Sequence, residues 1–297
     1  MNKKVFVIGS VTVDHVFYTD TMPNPGMTIK ANSFFRNFGG KGANQAIAAS
    51  NLGADVFFYG AIGNDDEGAF VSRSLIKYGM EGKYKLKKSD QNTGVASITI
   101  NNATGENQIL IVQGANLDIN KSDLLKLEKH FKESDIFLTQ LENSYETTDV
   151  SIKMAKSYGL MTILNPAPYM EIKDDLFSYI DYFVPNEHEM DQFVPGDMSY
   201  IEKAKVILSK GCKNVIVTLG EKGSLLVNKD KVIKIEPFKV KAIDTTAAGD
   251  SYIGALVAAL SKGENIEKSM QFASKCASIT VTRRGAADSL PTQKEVQ

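Results

Sequence analysis

Residues 136–164, IFLTQLENSYETTDVSIKMAKSYGLMTIL, decide the fold. The apolar runs Ile136-Phe137-Leu138 and Met161-Thr162-Ile163-Leu164 read as buried strands, and the segment between them, near 146–158, has helix length and spacing. A strand, a helix and a second strand in this order make a right-handed crossover between parallel strands. The same reading extends outward. Val5-Phe6-Val7-Ile8, Val56-Phe57-Phe58-Tyr59, Tyr182-Phe183-Val184 and Val215-Ile216-Val217 read as further buried strands, with helical segments near 41–52, 66–78, 120–132 and 199–210. An α/β fold is expected, with a mainly parallel sheet and helices on both faces.

Two stretches break that rhythm. Residues about 12–36 and 93–112 alternate, as in Ile98 and Ile100 against Thr99 and Asn101, with Thr104-Gly105 as a turn. They predict antiparallel hairpins inserted into one α/β domain spanning 1–297, forming a small sheet that serves as a lid or an oligomer interface. There is no internal repeat, low-complexity tract or interdomain linker.

Composition removes several classes of function. With 34 basic and 35 acidic residues the formal net charge is -1, so no broad basic face for nucleic acid is implied. No apolar run has membrane-spanning length and no signal-peptide pattern precedes the first strand, so a cytoplasmic location without membrane partners is expected. Cys212 and Cys276 are far apart and read as buried, inert thiols. The three histidines, His15, His130 and His188, weaken any triad or zinc-hydrolase reading. The basic run Lys83 to Lys88 reads as a solvated strand or turn.

In open parallel sheets ligands bind beyond the carboxyl ends of the strands. Here those ends carry Gly9-Ser10 and then Asp14, Glu142, Asn165 before two prolines, Asn186-Glu187 with Glu189, and Gly220-Glu221-Lys222-Gly223. Each alone reads as a turn residue, but together they point to a site at one edge.

Two glycine-rich helix starts face the same edge. In Asp244-Thr245-Thr246-Ala247-Ala248-Gly249-Asp250, small residues precede a helix whose apolar stripe is Ile253, Leu256, Val257 and Leu260. Its first N–H groups lack intrahelical partners and the dipole adds partial positive charge, which makes an anion site. Asp250 there either complements the macrodipole or is a base aimed at a substrate hydroxyl. The second start, Gly39-Gly40-Lys41-Gly42-Ala43-Asn44-Gln45-Ala46, is not a phosphate loop, because Gly42 follows Lys41 and Phe35 stands where the first glycine belongs. It suits close approach of a polyhydroxy compound to backbone amides, or else is a tight turn with Lys41 in solvent. Gly9-Ser10 lacks the remaining glycines of a dinucleotide fingerprint, which disfavours an oxidoreductase.

These two segments resemble the signature regions of the ribokinase-like, PfkB-type carbohydrate kinase family. Gln140-Leu141-Glu142, Asn165-Pro166-Ala167-Pro168, Pro185-Asn186-Glu187-His188-Glu189, Thr218-Leu219-Gly220-Glu221-Lys222-Gly223 and Val281-Thr282-Arg283-Arg284-Gly285-Ala286 follow in the family's order across essentially the whole chain. The resemblance implies a three-layer α/β/α fold with a small β-sheet lid, and ATP-dependent phosphorylation of the 5-hydroxyl of a pentose. It implies Asp250 as base and Ala247, Ala248 and Gly249 as anion hole, with Thr12, Asp14, Gly40, Lys41, Asn44 and Glu142 at the sugar. Asn186, Thr218, Gly220, Gly223 and Gly249 are implied along the nucleotide, with Glu189 reaching Mg2+ through water. Asp244, Thr246, Thr280, Arg283, Gly285 and Ser289 are implied at an activating K+, and a homodimer through the lid strands is implied as well. The chain departs from the ribose-specific pattern at Thr12, where asparagine is usual. Ribose is nevertheless expected ahead of 2-deoxyribose, with a nucleoside substrate and a non-catalytic sugar-binding regulator as alternatives.

Overall fold

A computed structural model describes residues 2–296. The amino-terminal part contains β1 (Lys4–Ile8), β2 (Thr12–Thr19), β3 (Ser33–Gly39), α1 (Lys41–Asn51), β4 (Asp55–Gly63), α2 (Asp66–Lys77), β5 (Tyr84–Ser89), β6 (Gly94–Asn101) and β7 (Asn107–Val112). Next come α3 (Lys121–Leu125), α4 (Glu128–Glu133), β8 (Ile136–Gln140), α5 (Tyr145–Ser157), β9 (Met161–Asn165), β10 (Tyr182–Phe183), α6 (Glu187–Phe193), α7 (Tyr200–Ser209) and β11 (Asn214–Thr218). The chain closes with β12 (Ser224–Asn228), β13 (Val232–Ile235), α8 (Ala248–Ser261), α9 (Ile266–Thr280) and α10 (Gln293–Val296).

Nine strands form one sheet in the order β13-β12-β11-β10-β9-β8-β1-β4-β5, parallel except where β12 and β13 join at one end. The continuous apolar runs exist because the sheet is covered on both faces. Along β1, Val5 and Val7 pack on one side with Ile47, Leu256 and Val257, while Phe6 and Ile8 pack on the other with Phe131, Ile152 and Phe177. The expected α/β class with a mainly parallel sheet and a second, small sheet is what is found.

The alternating stretches pair as antiparallel hairpins, β2 with β3 and β6 with β7. A parallel pairing of β2 with β6, in register from Thr12↔Gly94 to Thr19↔Asn101, fuses them into a four-stranded sheet. Along its edge strand β7 the side chains from Ile109 to Val112 are all exposed. The single helix expected over 120–132 is instead two short ones. Leu127 bonds back to Leu124 three residues earlier, a tightened turn that buries Leu124, Leu127 and Phe131 together. The lysine-rich strand is the sheet's edge strand β5, and Lys87 turns inward to Asp123 at 2.8 Å. Among the described residues no helix is long and apolar enough to cross a membrane.

The approach of α1 and α8 positions the site. A Cβ on Gly254 would meet Ala48 Cβ at 2.4 Å and the Gln45 carbonyl at 2.8 Å, so only glycine lets the two backbones touch. That contact sets the first turn of α8 against that of α1, above the carboxyl ends of β1, β8 and β9.

Candidate active site

The α8 start opens into a cavity of about 190 Å³ lined by Lys41, Asn186, Glu189, Thr218 and Ala247 to Asp250, among others. Ala247 caps the helix in the left-handed region at φ 57, the one non-glycine residue with positive φ among the described residues. A β-carbon in that region costs roughly 1–2 kcal/mol, a strain that concentrates at functional turns. The turn is bare of side-chain caps. The Ala248 N–H donates to Thr245 O at 3.2 Å, whereas those of Ala247, Gly249 and Asp250 have no partner among the described residues. Of the expected trio of amides, Ala248 is engaged within the turn, while Ala247 and Gly249 are left unpaired together with Asp250 N–H. Gly249 faces open space, and a Cβ there would meet nothing within 4 Å.

The α1 start looks alike in sequence and behaves oppositely. Its cap Gly40 has φ 96 and lies so close to the β1–β2 turn that a Cβ would come within 2.5 Å of Val11 Cα. The Lys41 N–H donates to Glu142 Oε2 at 3.0 Å, Gly42 N–H to Ser10 Oγ at 3.2 Å and Ala43 N–H to Ser10 O at 2.9 Å. Ser10 Oγ in turn donates to Glu142. The expectation that these amides approach a polyhydroxy ligand is therefore not met, because a buried carboxylate and a serine already occupy them. What this turn offers is its side chains, Lys41 and Asn44.

Lys41 is not in solvent; it lines the cavity. Burial opposes its charge, but Asp250, Glu142, Glu189 and Asp14 around it outweigh that and hold its pKa above the ordinary lysine value. Burial raises Glu142, against the pull of Lys41 and the Ser10 hydroxyl. Asp14 is raised to about 6, first by burial, with a bond from Thr12 opposing and the charges of Glu142 and Asp250 adding to the rise. Thr12 Oγ1 donates to Asp14 Oδ1 at 3.2 Å, and a Cβ on Gly39 would strike the Asp14 carboxylate at 2.5 Å. Asp250 is buried in the first turn of α8, where Oδ2 accepts from Asn44 Nδ2 at 3.1 Å and Oδ1 from Gln45 Nε2 at 2.9 Å. Asn44 Oδ1 is left buried and unpaired, an acceptor directed at no protein group.

Across the cavity, Asn186 and Glu189 form a capping box on α6, with Glu189 accepting from Asn186 N–H at 2.9 Å and from its Nδ2 at 3.0 Å. Burial raises the Glu189 pKa. Gly220 and Gly223 lie outside the cavity wall. Gly223 lets β13 pass, since a Cβ there would lie 2.0 Å from Ile235 O. Asp244 ties two loops together, accepting from Thr246 N–H and Gly285 N–H, each at 2.9 Å. Burial would raise its pKa, but those bonds and the Arg284 charge keep it below the usual carboxylate range. The side chains of Thr280 and Ser289 are buried and bonded inward, to Ser251 Oγ and Ala286 O, and Arg283 pairs with Glu295. Burial pushes both cysteine thiols up to about 12, so they stay protonated.

The roles of Ser10, Gln45 and Gln140 carry no local signal in the sequence. Each stands inside a quoted motif, but what gives it a role is a partner far away in the chain. Ser10 and Glu142 meet across 132 positions, and Gln45 and Asp250 across 205.

Known proteins match the chain over essentially its whole length. The model of the pfkB family carbohydrate kinases matches residues 2–293. A ribokinase of Haemophilus influenzae is 36% identical over 299 residues, covering 99% of this chain and 97% of the relative. A deoxyribokinase of Salmonella typhi is also 36% identical, over 293 residues, covering 97% of this chain and 95% of the relative. The solved structure of an Arabidopsis thaliana ribokinase complexed with ribose and ATP superposes with a TM-score of 0.89 at 28% identity, covering 100% of this chain and 98% of that one.

Proposed function

We infer the reaction from the premise that this chain belongs to the pfkB family of carbohydrate kinases and is an ATP-dependent sugar kinase. The reaction is transfer of the γ-phosphoryl group of ATP to the 5-hydroxyl of D-ribose, giving ribose 5-phosphate and ADP. One observation carries the assignment of roles: unpaired N–H groups and the Asp250 carboxylate share one helix turn and one cavity. Phosphoryl transfer needs in-line positioning and charge neutralisation more than covalent help. The sugar is held by Asp14, Lys41, Asn44 and Glu142, with Gly40 giving their turn its close packing. Asp250 accepts the proton of the attacking hydroxyl, the amides of Gly249 and Asp250 receive the transferring oxygens, and Lys41 supplies positive charge beside them.

Asn186, Thr218 and Gly220 lie along the nucleotide in this reading, with Gly223 shaping the loop. A divalent cation suits Glu189 through water, because both of its oxygens are already committed to the α6 cap. Asp244 is partly buried and has no salt-bridge partner among the described residues, so its loop and that of Gly285 fit a monovalent cation. With the side chains of Thr280, Arg283 and Ser289 bonded elsewhere, such a cation would rest on main-chain carbonyls and Asp244. Bound there, it would neutralise Asp244 and order the turn. Exposed Leu110 and Val112 on β7 support a homodimer through the lid strands, which light scattering tests: a monomer at working concentration rejects it.

A second reading, 2-deoxyribose as substrate, draws on Thr12, whose hydroxyl proton is already committed to Asp14. A site that hydrogen-bonds the 2-hydroxyl discriminates strongly against the deoxy sugar. ADP release on a pentose panel, in potassium and in sodium, tests both readings. The expected result is ribose ahead of deoxyribose and faster turnover in potassium. Turnover of no pentose rejects the proposal, and equal kcat/KM for the two sugars means the 2-hydroxyl is not read.

A further inference from the structure

Behind Asp250 lies a set of side-chain amides that the reaction just described does not use. Gln45 is fully buried, and both its amide hydrogens and its carbonyl are engaged. Nε2 donates to Asp250 Oδ1 at 2.9 Å and to Asn165 Oδ1 at 3.0 Å, while Oε1 accepts from Gln140 Nε2 at 2.7 Å. The orientation is unique. A flipped Gln45 amide would set its oxygen against two acceptor oxygens and its hydrogens against those of Gln140. Asn165 cannot turn to compensate, because its Nδ2 donates to Val184 O at 3.0 Å. Gln140 is wedged against the turn that follows β1, where a Cβ on Gly9 would fall 2.1 Å from Gln140 Oε1.

We propose that Gln45, held by Gln140 and Asn165, is a positioning residue for the base. It grips Asp250 Oδ1 from the protein interior so that Oδ2 is the oxygen presented to the acceptor hydroxyl. The inference rests on the reading of Asp250 as base. A first-turn aspartate held at one oxygen only is free to rotate about its broad, two-fold χ2 torsion. A neutral amide fixes that torsion without the countercharge that would weaken the carboxylate as a base, as a lysine or arginine in its place would. Asn44 stands on the other side of the same carboxylate. It bonds Oδ2, and its own oxygen is unpaired, so it belongs with the substrate-facing groups. Polar Gln45 in the alanine-rich, buried face of α1 has its explanation in this grip.

The test is steady-state kinetics of Gln45→Met, alone and combined with Asp250→Asn, together with a crystal structure of the single variant. Misplacement of a reacting group by about 1 Å costs on the order of 100-fold, so kcat should fall ~10- to 100-fold while KM for sugar and ATP stays within about threefold. In the Asp250→Asn background the same change should lower residual turnover by less than about twofold, since a positioning residue acts only through the group it positions. A purely structural residue lowers turnover by equal factors in both backgrounds, and that result overturns the proposal. Should Gln45→Met not fold, Gln140→Met, one bond further from Asp250, should lower kcat by about three- to tenfold at unchanged KM, and an unchanged kcat there overturns it too. In the crystal the Asp250 carboxylate plane should leave its present orientation; an unmoved carboxylate contradicts the proposal whatever reaction the enzyme performs. If the wild type phosphorylates no sugar, the functional reading fails, while the crystallographic result still decides the role of Gln45.

Discussion

The starts of α1 and α8 are both glycine-rich turns entering buried helices, and they have opposite fates. At α1 the protein supplies its own ligands: Glu142 and Ser10 take the N–H groups of Lys41, Gly42 and Ala43. At α8 no such group stands opposite among the described residues, and Gly249 and Asp250, whose N–H groups are unpaired there, line a cavity. A helix start becomes an anion site only when nothing from the protein fills it. In the reaction we propose, the sealed start presents side chains to the sugar and the open one presents backbone to the phosphoryl group.

That contrast can be broken at several points. Replacing Asp250 by Asn should leave ATP binding intact and lower kcat by ~10²- to 10⁴-fold, the usual worth of a base in this role; wild-type-like turnover would remove Asp250 from the chemistry. Gly42→Ala should damage the fold, because its Cβ would lie 2.5 Å from Ser10 N and 2.6 Å from Gly9 C, both backbone atoms. Thermal denaturation should register a loss of about 3 kcal/mol, the upper range for overpacking. At the open start, Gly249→Ala meets no atom within 4 Å and should melt like the wild type. Its methyl group at the edge of the anion seat should still lower kcat about tenfold. If Gly249→Ala unfolds and Gly42→Ala does not, the two turns have been assigned the wrong way round.

Proton linkage gives a smaller effect. The Asp14 pKa is raised from its ordinary 3.8 to about 6, so between those values the folded state holds more protons than the unfolded one. Asp14 therefore opposes folding above about pH 6, and that opposition is relieved as pH falls toward 3.8. Sugar binding at Asp14, as we propose it, has the opposite preference, since an ionised carboxylate accepts from hydroxyl groups. KM for the sugar should rise about fourfold by pH 5.5, the fraction of Asp14 protonated setting the factor, and a flat KM from pH 7.5 to 5.5 would detach Asp14 from the sugar. Smallest of all, Ala247→Gly should gain about 1 kcal/mol by relieving the left-handed strain, less the entropy glycine adds to the unfolded chain. A lowered kcat in that variant would show that the strain holds the anion turn in shape.

Much of this was legible in the sequence. Continuous apolar runs revealed the parallel strands because a sheet covered on both faces has no polar side to alternate with. The two glycine-rich starts were visible for the same local reason. Their different fates were not, because Ser10 and Glu142 reach α1 from other strands and no local pattern records that nothing reaches α8. The β2–β6 pairing was missed likewise: hairpin signals are local, whereas Thr12 and Gly94 meet across the chain. In sequence Gln45 is only one member of the glycine-rich motif Gly39 to Ala46. Only its partners Asp250, Asn165 and Gln140 give it a role.

The direct test of the contrast is a crystal structure with ADP, ribose and an aluminium fluoride that mimics the transferring phosphoryl group. The mimic should sit within about 3 Å of the N–H groups of Gly249 and Asp250, in line with the ribose 5-hydroxyl at Asp250 Oδ2, while Glu142 still occupies the start of α1. A mimic bound at the Gly40 to Ala43 turn, or anywhere away from Gly249, would contradict the account.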